Sequence, residues 1–137
     1  MTAPADGSSN PRILVADDDP VNRRLCSLIL GRSGYESMVV ADGLDVLEVL
    51  ARERFDLVLL DVSMPGLDGP ETARRIRRGD AGDEAAALTI LAVTGFSGSD
   101  DHRACLDAGM DGVLVKPLSL KALEPWLAGR APGGASA

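Results

Sequence analysis

Short, wholly apolar runs recur along the chain at Ile13-Leu14-Val15, Met38-Val39-Val40, Leu57-Val58-Leu59-Leu60, Ile90-Leu91-Ala92-Val93 and Val113-Leu114-Val115. None alternates with polar positions, so each predicts a strand covered on both faces rather than one with a wet side. Helical spacing fills the intervals. Asp19-Pro20 reads as an N-cap followed by proline at the first helical position, with Val21, Leu25, Leu28 and Ile29 on one side and Gly34 placed to end the helix. Residues 44–53 gather Leu44, Leu47 and Ala51. Asp68 to Arg78 opens with an Asp-x-x-Glu cap, turning Ala73 and Ile76 inward and Arg74, Arg75, Arg77 and Arg78 toward solvent. Residues 99–108 form a fourth helical segment with Ala104 and Ala108 inward, and Ser119 caps a fifth that carries Leu120, Leu123 and Leu127. Pro125 lies inside that fifth segment, which predicts a kinked or shortened last helix with Trp126 sealing that end of the core.

The resulting order, strand and helix alternating five times, predicts an α/β fold. It is a doubly wound five-stranded parallel sheet with right-handed crossovers and helices on both faces, a three-layer αβα arrangement. Residues 1–11 and 129–137 are small, polar and rich in Pro and Gly, and read as flexible tails around one folded unit at 12–128.

Composition narrows the function. A chain of 137 residues with 45% apolar and 26% charged residues suits one globular domain. A net charge of −7 argues against an electrostatic grip on nucleic acid, which needs a basic face. Cys26 and Cys105 have neither C-x-x-C spacing nor neighbouring histidines, so they read as small buried apolar groups in a reduced, cytoplasmic protein. No signal pattern or membrane-length apolar stretch is visible, and the few aromatic residues (Tyr35, Phe55, Phe96 and Trp126) offer no stacking surface. His102, among Asp100, Asp101 and Arg103, reads as a solvated residue without a role.

The polar residues fall in a pattern of their own. Asp17-Asp18-Asp19 follow the first strand, Asp61 the third and Lys116 the fifth, while Thr94 ends the fourth. The C-terminal ends of parallel strands share one edge, where ligands bind at the point at which strand order reverses. Carboxylates without histidine or cysteine suit a hard cation, with magnesium the expected metal. A lysine and a hydroxyl facing them suit a phosphoryl group held between metal, ammonium and hydroxyl. Neither G-x-x-x-x-G-K-[ST] nor G-x-G-x-x-G is present, so a bound nucleotide is not the expected source of that group.

The motifs ILVADDDPVNR, DLVLLDVSMPGLDG, ILAVTG and GVLVKPL resemble, in order, those of response-regulator receiver domains of two-component systems. The resemblance covers nearly the whole folded region and implies a flavodoxin-like sheet in the order 2-1-3-4-5. It implies that Asp61 accepts a phosphoryl group from a sensor histidine kinase or histidine phosphotransfer protein. Asp18, Asp61 and the backbone carbonyl of Ser63 would ligate magnesium, with Asp17 beside them positioning metal-bound water or Lys116. Lys116 would contact a phosphoryl oxygen, and Thr94 would turn its hydroxyl to the phosphate and draw the next loop inward. Gly95 would leave room for the phosphoryl group, and the Lys116-Pro117 bond is often cis in the family. The domain would then act on a downstream protein as a monomer or weak dimer, either as a stand-alone regulator or as part of a hybrid kinase.

Two positions depart from the family pattern. Many receivers carry Tyr or Phe three residues before the lysine, where this chain has Val113, which makes Phe96 a candidate substitute. Pro125 alters the last helix, part of a face that many receivers use to dimerise. A haloacid-dehalogenase-type phosphatase, with its nucleophile in Asp-x-Asp after the first strand and a cap insertion, fits less well, because Asp17 and Asp18 are adjacent and Asp61 follows the third. A binding-only pseudo-receiver is disfavoured by the presence of every expected acidic, hydroxyl and lysine group.

Overall fold

Five strands, β1 (Arg12–Ala16), β2 (Glu36–Val40), β3 (Leu57–Asp61), β4 (Thr89–Thr94) and β5 (Gly112–Val115), form one parallel sheet in the order β2-β1-β3-β4-β5. This is the predicted sheet and the predicted order. The computed structural model describes residues 11–95 and 99–127. The proposed tails, apart from Pro11, and Phe96 lie outside the described residues.

The apolar runs are strands because both faces are covered, as their lack of alternation requires. On one face Ile13, Val15, Leu57, Leu59, Leu91, Val93 and Leu114 pack against Cys26 and Leu30 of α1 (Pro20–Arg32) and Leu123 and Leu127 of α6 (Leu120–Leu127). On the other, Leu14, Ala16, Val58, Leu60, Ile90 and Ala92 meet α2 (Gly43–Arg52), α3 (Gly69–Arg77), α4 (Asp83–Ala86) and α5 (Ser99–Asp107). Register pairs Ala16 with Leu60 and Asp61 with Val93, which brings the C-terminal ends of the strands to a common edge.

Local chemistry sets the helix starts. Asp19, Asp42 and Asp68 accept hydrogen bonds from Val21 N, Asp45 N and Glu71 N, satisfying amides that a helix leaves unpaired at its first turn. Gly34, at φ 87°, lets the chain leave α1 in a left-handed turn that a side chain would oppose. Lys116-Pro117 is cis. α6 runs through Pro125 for eight residues.

Several orientations differ from the sequence expectation. On α1 the sheet covers Cys26 and Leu30, while Val21, Leu25 and Leu28 are exposed. On α2 it covers Val46, Val49 and Leu50, leaving Leu44 exposed. On α5 Cys105 faces inward, as does Ala108 just past its end, and Ala104 does not. In each helix apolar residues occupy more than one side, and the side that wins is fixed by where the flanking turns attach it to the sheet. The one-turn α4 has no periodicity to reveal it.

Arg77 is not part of a solvated row. Its guanidinium folds back to donate to the carbonyls of Gly109 (2.8 Å), Ala86 (2.8 Å) and Leu88 (2.6 Å) and to Asp111 Oδ2 (2.8 Å). His102 is only half exposed, and its Nε2 is shielded from solvent without a hydrogen-bond partner among the described residues. Val113 packs against the α2–α3 side of the core, and Trp126 against the α1–α6 side.

Candidate functional site

The acidic turn after β1 and the end of β3 flank the point where the chain reverses its direction of strand addition, since β2 was laid on one side of β1 and β3 on the other. Carboxylate oxygens of Asp17, Asp18 and Asp61 lie within 4.8 Å of one another there. Asp17 and Asp61 are buried at 4% and 5% exposure, whereas Asp18 faces solvent. A site with buried walls and one open carboxylate admits a small ion or group from outside. The all-oxygen donor set fits a hard divalent cation.

Lys116 reaches this cluster from beyond β5. Its Nζ donates to Asp61 Oδ2 at 3.1 Å and lies 3.5 Å from Asp17 Oδ2. The lysine backbone is held by its own N–H, which donates to the Thr94 carbonyl at 2.7 Å, tying the β5 exit to the end of β4. Thr94 is buried at 5% exposure in the strand next to Asp61. Ser63 N donates to Asp61 Oδ1 at 3.2 Å, so the two carboxylate oxygens of Asp61 have different partners.

Electrostatics follow from the crowding. Burial raises the Asp61 pKa above its ordinary 3.8; the Lys116 hydrogen bond opposes the rise and the Asp17 charge adds to it. For Lys116, burial alone would lower the pKa, but the hydrogen bond and charge of Asp61, with Asp17 behind it, outweigh that and raise it. Burial thus works against the charged form of Asp61, while the neighbouring carboxylates favour the charged form of Lys116. Cys26 lies near enough to feel both Asp17 and Lys116, and burial raises its thiol pKa, which disfavours the thiolate.

All four carboxylate and lysine residues singled out from the sequence are therefore brought together, with Thr94 at the adjoining strand end. Two residues were passed over. Arg23 of α1 donates from Nη1 to the Asp17 carbonyl at 2.8 Å, bracing the acidic turn from the helix that follows it. Gly69, which lies in the DLVLLDVSMPGLDG motif without an assigned role, opens α3 directly against the Asp61 backbone. A basic residue one turn into a helix that follows an acidic strand end was the available signal for Arg23. Gly69 closes the DLVLLDVSMPGLDG motif, which was the available signal for it.

A family model described as response regulator receiver domain matches residues 13–127. The sensor histidine kinase RcsC of Salmonella typhi is 40% identical over 124 residues, covering 90% of this chain and 13% of the kinase. The response regulator MprA of Mycobacterium leprae is 41% identical over 112 residues, 82% of this chain and 47% of the regulator. The chain thus spans about an eighth of the kinase and under half of the regulator. Among solved structures, the receiver domain of sensor histidine kinase PA1611 from Pseudomonas aeruginosa is 34% identical with a TM-score of 0.77, covering 90% of this chain and 98% of that one, and has a magnesium ion coordinated in its active-site cleft. Chemotaxis protein CheY4 of Vibrio cholerae is 28% identical with a TM-score of 0.75, covering 89% and 98%.

Proposed function

The chain belongs to the response regulator receiver domain family of two-component systems, a signalling switch domain, and from that premise we propose that Asp61 is its phosphoacceptor. The observation that carries the assignment is the placement of Asp61 Oδ2 3.1 Å from Lys116 Nζ, inside a trio of carboxylates within 4.8 Å of one another, at the sheet edge where strand order reverses.

An Asp61 carboxylate oxygen attacks the phosphorus of a phosphohistidine. The phosphorus–nitrogen bond breaks, its electron pair returns to the imidazole, and an acyl phosphate remains on Asp61. Asp18, Asp61 and the Ser63 carbonyl would hold magnesium, with Asp17 beside them, and the ion would offset charge on the phosphoryl oxygens; the three carboxylates lie within 4.8 Å of one another. Lys116 exchanges its Asp61 partner for a phosphoryl oxygen at the same place. The Thr94 hydroxyl turns toward the new anion, and the segment after β4 follows it, so a local charge change becomes a change of surface. The same site returns Asp61 to a free carboxylate by hydrolysis.

The donor in this reading is a sensor histidine kinase or histidine phosphotransfer protein, and the output is contact with a downstream protein from a cytoplasmic domain at 12–128, as a monomer or weak dimer. Among the described residues, no helix is long and apolar enough to cross a membrane.

The test is intact mass after incubation with acetyl phosphate, with and without magnesium, on the wild type and Asp61→Asn. A gain of one phosphoryl group that needs both metal and Asp61 is expected. A gain without metal, or one that survives the substitution, overturns the assignment.

A further inference from the structure

Gly69 occupies an unusual place. It is the first residue of α3, and a Cβ built on it would lie 2.6 Å from the Asp61 carbonyl oxygen and 3.0 Å from Val62 Cα. Real side chains do not approach backbone so closely, and backbone, unlike the tip of a flexible side chain, has nowhere cheap to go. Its own N–H donates to the Val62 carbonyl at 3.0 Å, so the segment from Val62 to Asp68 leaves β3 and returns onto the strand it left. That closed segment contains Ser63, whose N–H holds Asp61 Oδ1 at 3.2 Å. The opposite side of the same peptide is fixed by the sheet, where Val62 N donates to the Val93 carbonyl at 3.1 Å. The Asp61–Val62 peptide is thus clamped between β4 and the first turn of α3, and the side chain it carries is the one that must face Lys116.

We propose that Gly69 is a positioning residue for the phosphoacceptor: the missing side chain lets α3 press on the Asp61 peptide and set the carboxylate and the Ser63 carbonyl at their working distances. The inference rests on the reading of Asp61 as acceptor and extends it to a residue that touches neither metal nor phosphoryl group. Added atoms at position 69 must push the helix away or push Asp61 toward the cluster. Either movement changes the separation of groups now 3.1–3.2 Å apart, and misplacement of an attacking group by about 1 Å lowers rate by roughly a hundredfold.

Gly112 provides a matched control. A Cβ there would meet the Trp126 ring at 2.4 Å, an equally close contact but with the α6 side chain that packs on the far side of the sheet from α3. The experiment measures three quantities on Gly69→Ala, Gly112→Ala and wild type: the thermal midpoint, the magnesium dissociation constant from a backbone-amide chemical-shift titration, and the rate of phosphoryl uptake from acetyl phosphate. Both variants are expected to melt lower than wild type. Only Gly69→Ala is expected to bind magnesium about tenfold more weakly and to take up phosphoryl groups at least about tenfold more slowly. Equal losses in the two variants, no loss in Gly69→Ala, or a Gly69→Ala that fails to fold beside a folded Gly112→Ala each overturn the proposal and leave the glycine a packing residue. A wild type that takes up no phosphoryl group sinks the acceptor reading instead, and the magnesium titration still decides whether Gly69 positions the cluster.

Discussion

The two edges of the sheet handle charge in opposite ways. At the edge where the strands begin, cations are matched to acceptors. Arg12 lies 3.0 Å from Glu53 and 3.2 Å from Glu36, donates to the Arg54 carbonyl and covers the Phe55 ring at 4.4 Å. Arg77 donates to three carbonyls and to Asp111, whose Oδ2 also accepts from Ile90 N at the start of β4. At the edge where the strands end, three carboxylates crowd within 4.8 Å, with Lys116 the cation that reaches both buried ones. The first arrangement braces the fold. The second sets like charges together and leaves an electrostatic cost that a bound cation relieves, which is how functional sites commonly differ from structural ones.

The largest effect should come from breaking the brace. Arg77→Met leaves three partly buried carbonyls without this donor and strips the guanidinium from Asp111, which keeps Ile90 N; it is expected to lower unfolding free energy by about 3 kcal/mol, while phosphoryl uptake at the far edge stays within about threefold of wild type. Urea denaturation and the acetyl phosphate assay check both halves. A loss of uptake as large as the loss of stability would mean that the two edges are coupled.

Relieving the crowded edge should have a smaller effect of opposite sign. Asp61→Asn, in chelator and without phosphodonor, is expected to stabilise the fold by about 1 kcal/mol while abolishing uptake. A drop in stability would show that the Lys116 pair outweighs the repulsion and burial. The pH dependence sharpens this point. Asp61 has a folded pKa raised above its ordinary 3.8, so it favours folding below 3.8 and loses that contribution as pH rises through its raised value. The stability advantage of Asp61→Asn should therefore be absent below pH 3.8 and grow toward neutrality; a constant offset across that range would contradict the assigned shift.

The smallest effect is expected where charges are paired but wet. Arg54 and Glu84 form an ion pair at 3.1 Å with side chains 84% and 70% exposed, so Arg54→Ala should change stability by less than about 0.5 kcal/mol. A loss comparable to that of Arg77→Met would show that contact geometry alone, without burial, explains the brace.

The contrast also separates what could be read early from what could not. Arg77 and its neighbours Arg74, Arg75 and Arg78 look alike as a string of letters. Only Arg77 lies where the turns before β4 and β5 place several carbonyls within reach of its long side chain. The faces of α1 and α2 were hidden for a related reason: Val21, Leu25 and Leu28 form as plausible an apolar stripe as Cys26 and Leu30, and a helix cannot reveal by itself which side a sheet will cover.

By itself the sequence determined the strands, their alternation with helices, the helix caps and the residues that converge on the site. Burial on both faces demands uninterrupted apolar runs, and parallel strands must deliver their C-terminal residues to a common edge. The tertiary structure alone decided which face α1 and α2 bury, which arginine is a brace, and how closely Gly69 presses on Asp61. Those outcomes depend on contacts between segments far apart in the chain, and the distances that set them exist only once the layers have packed.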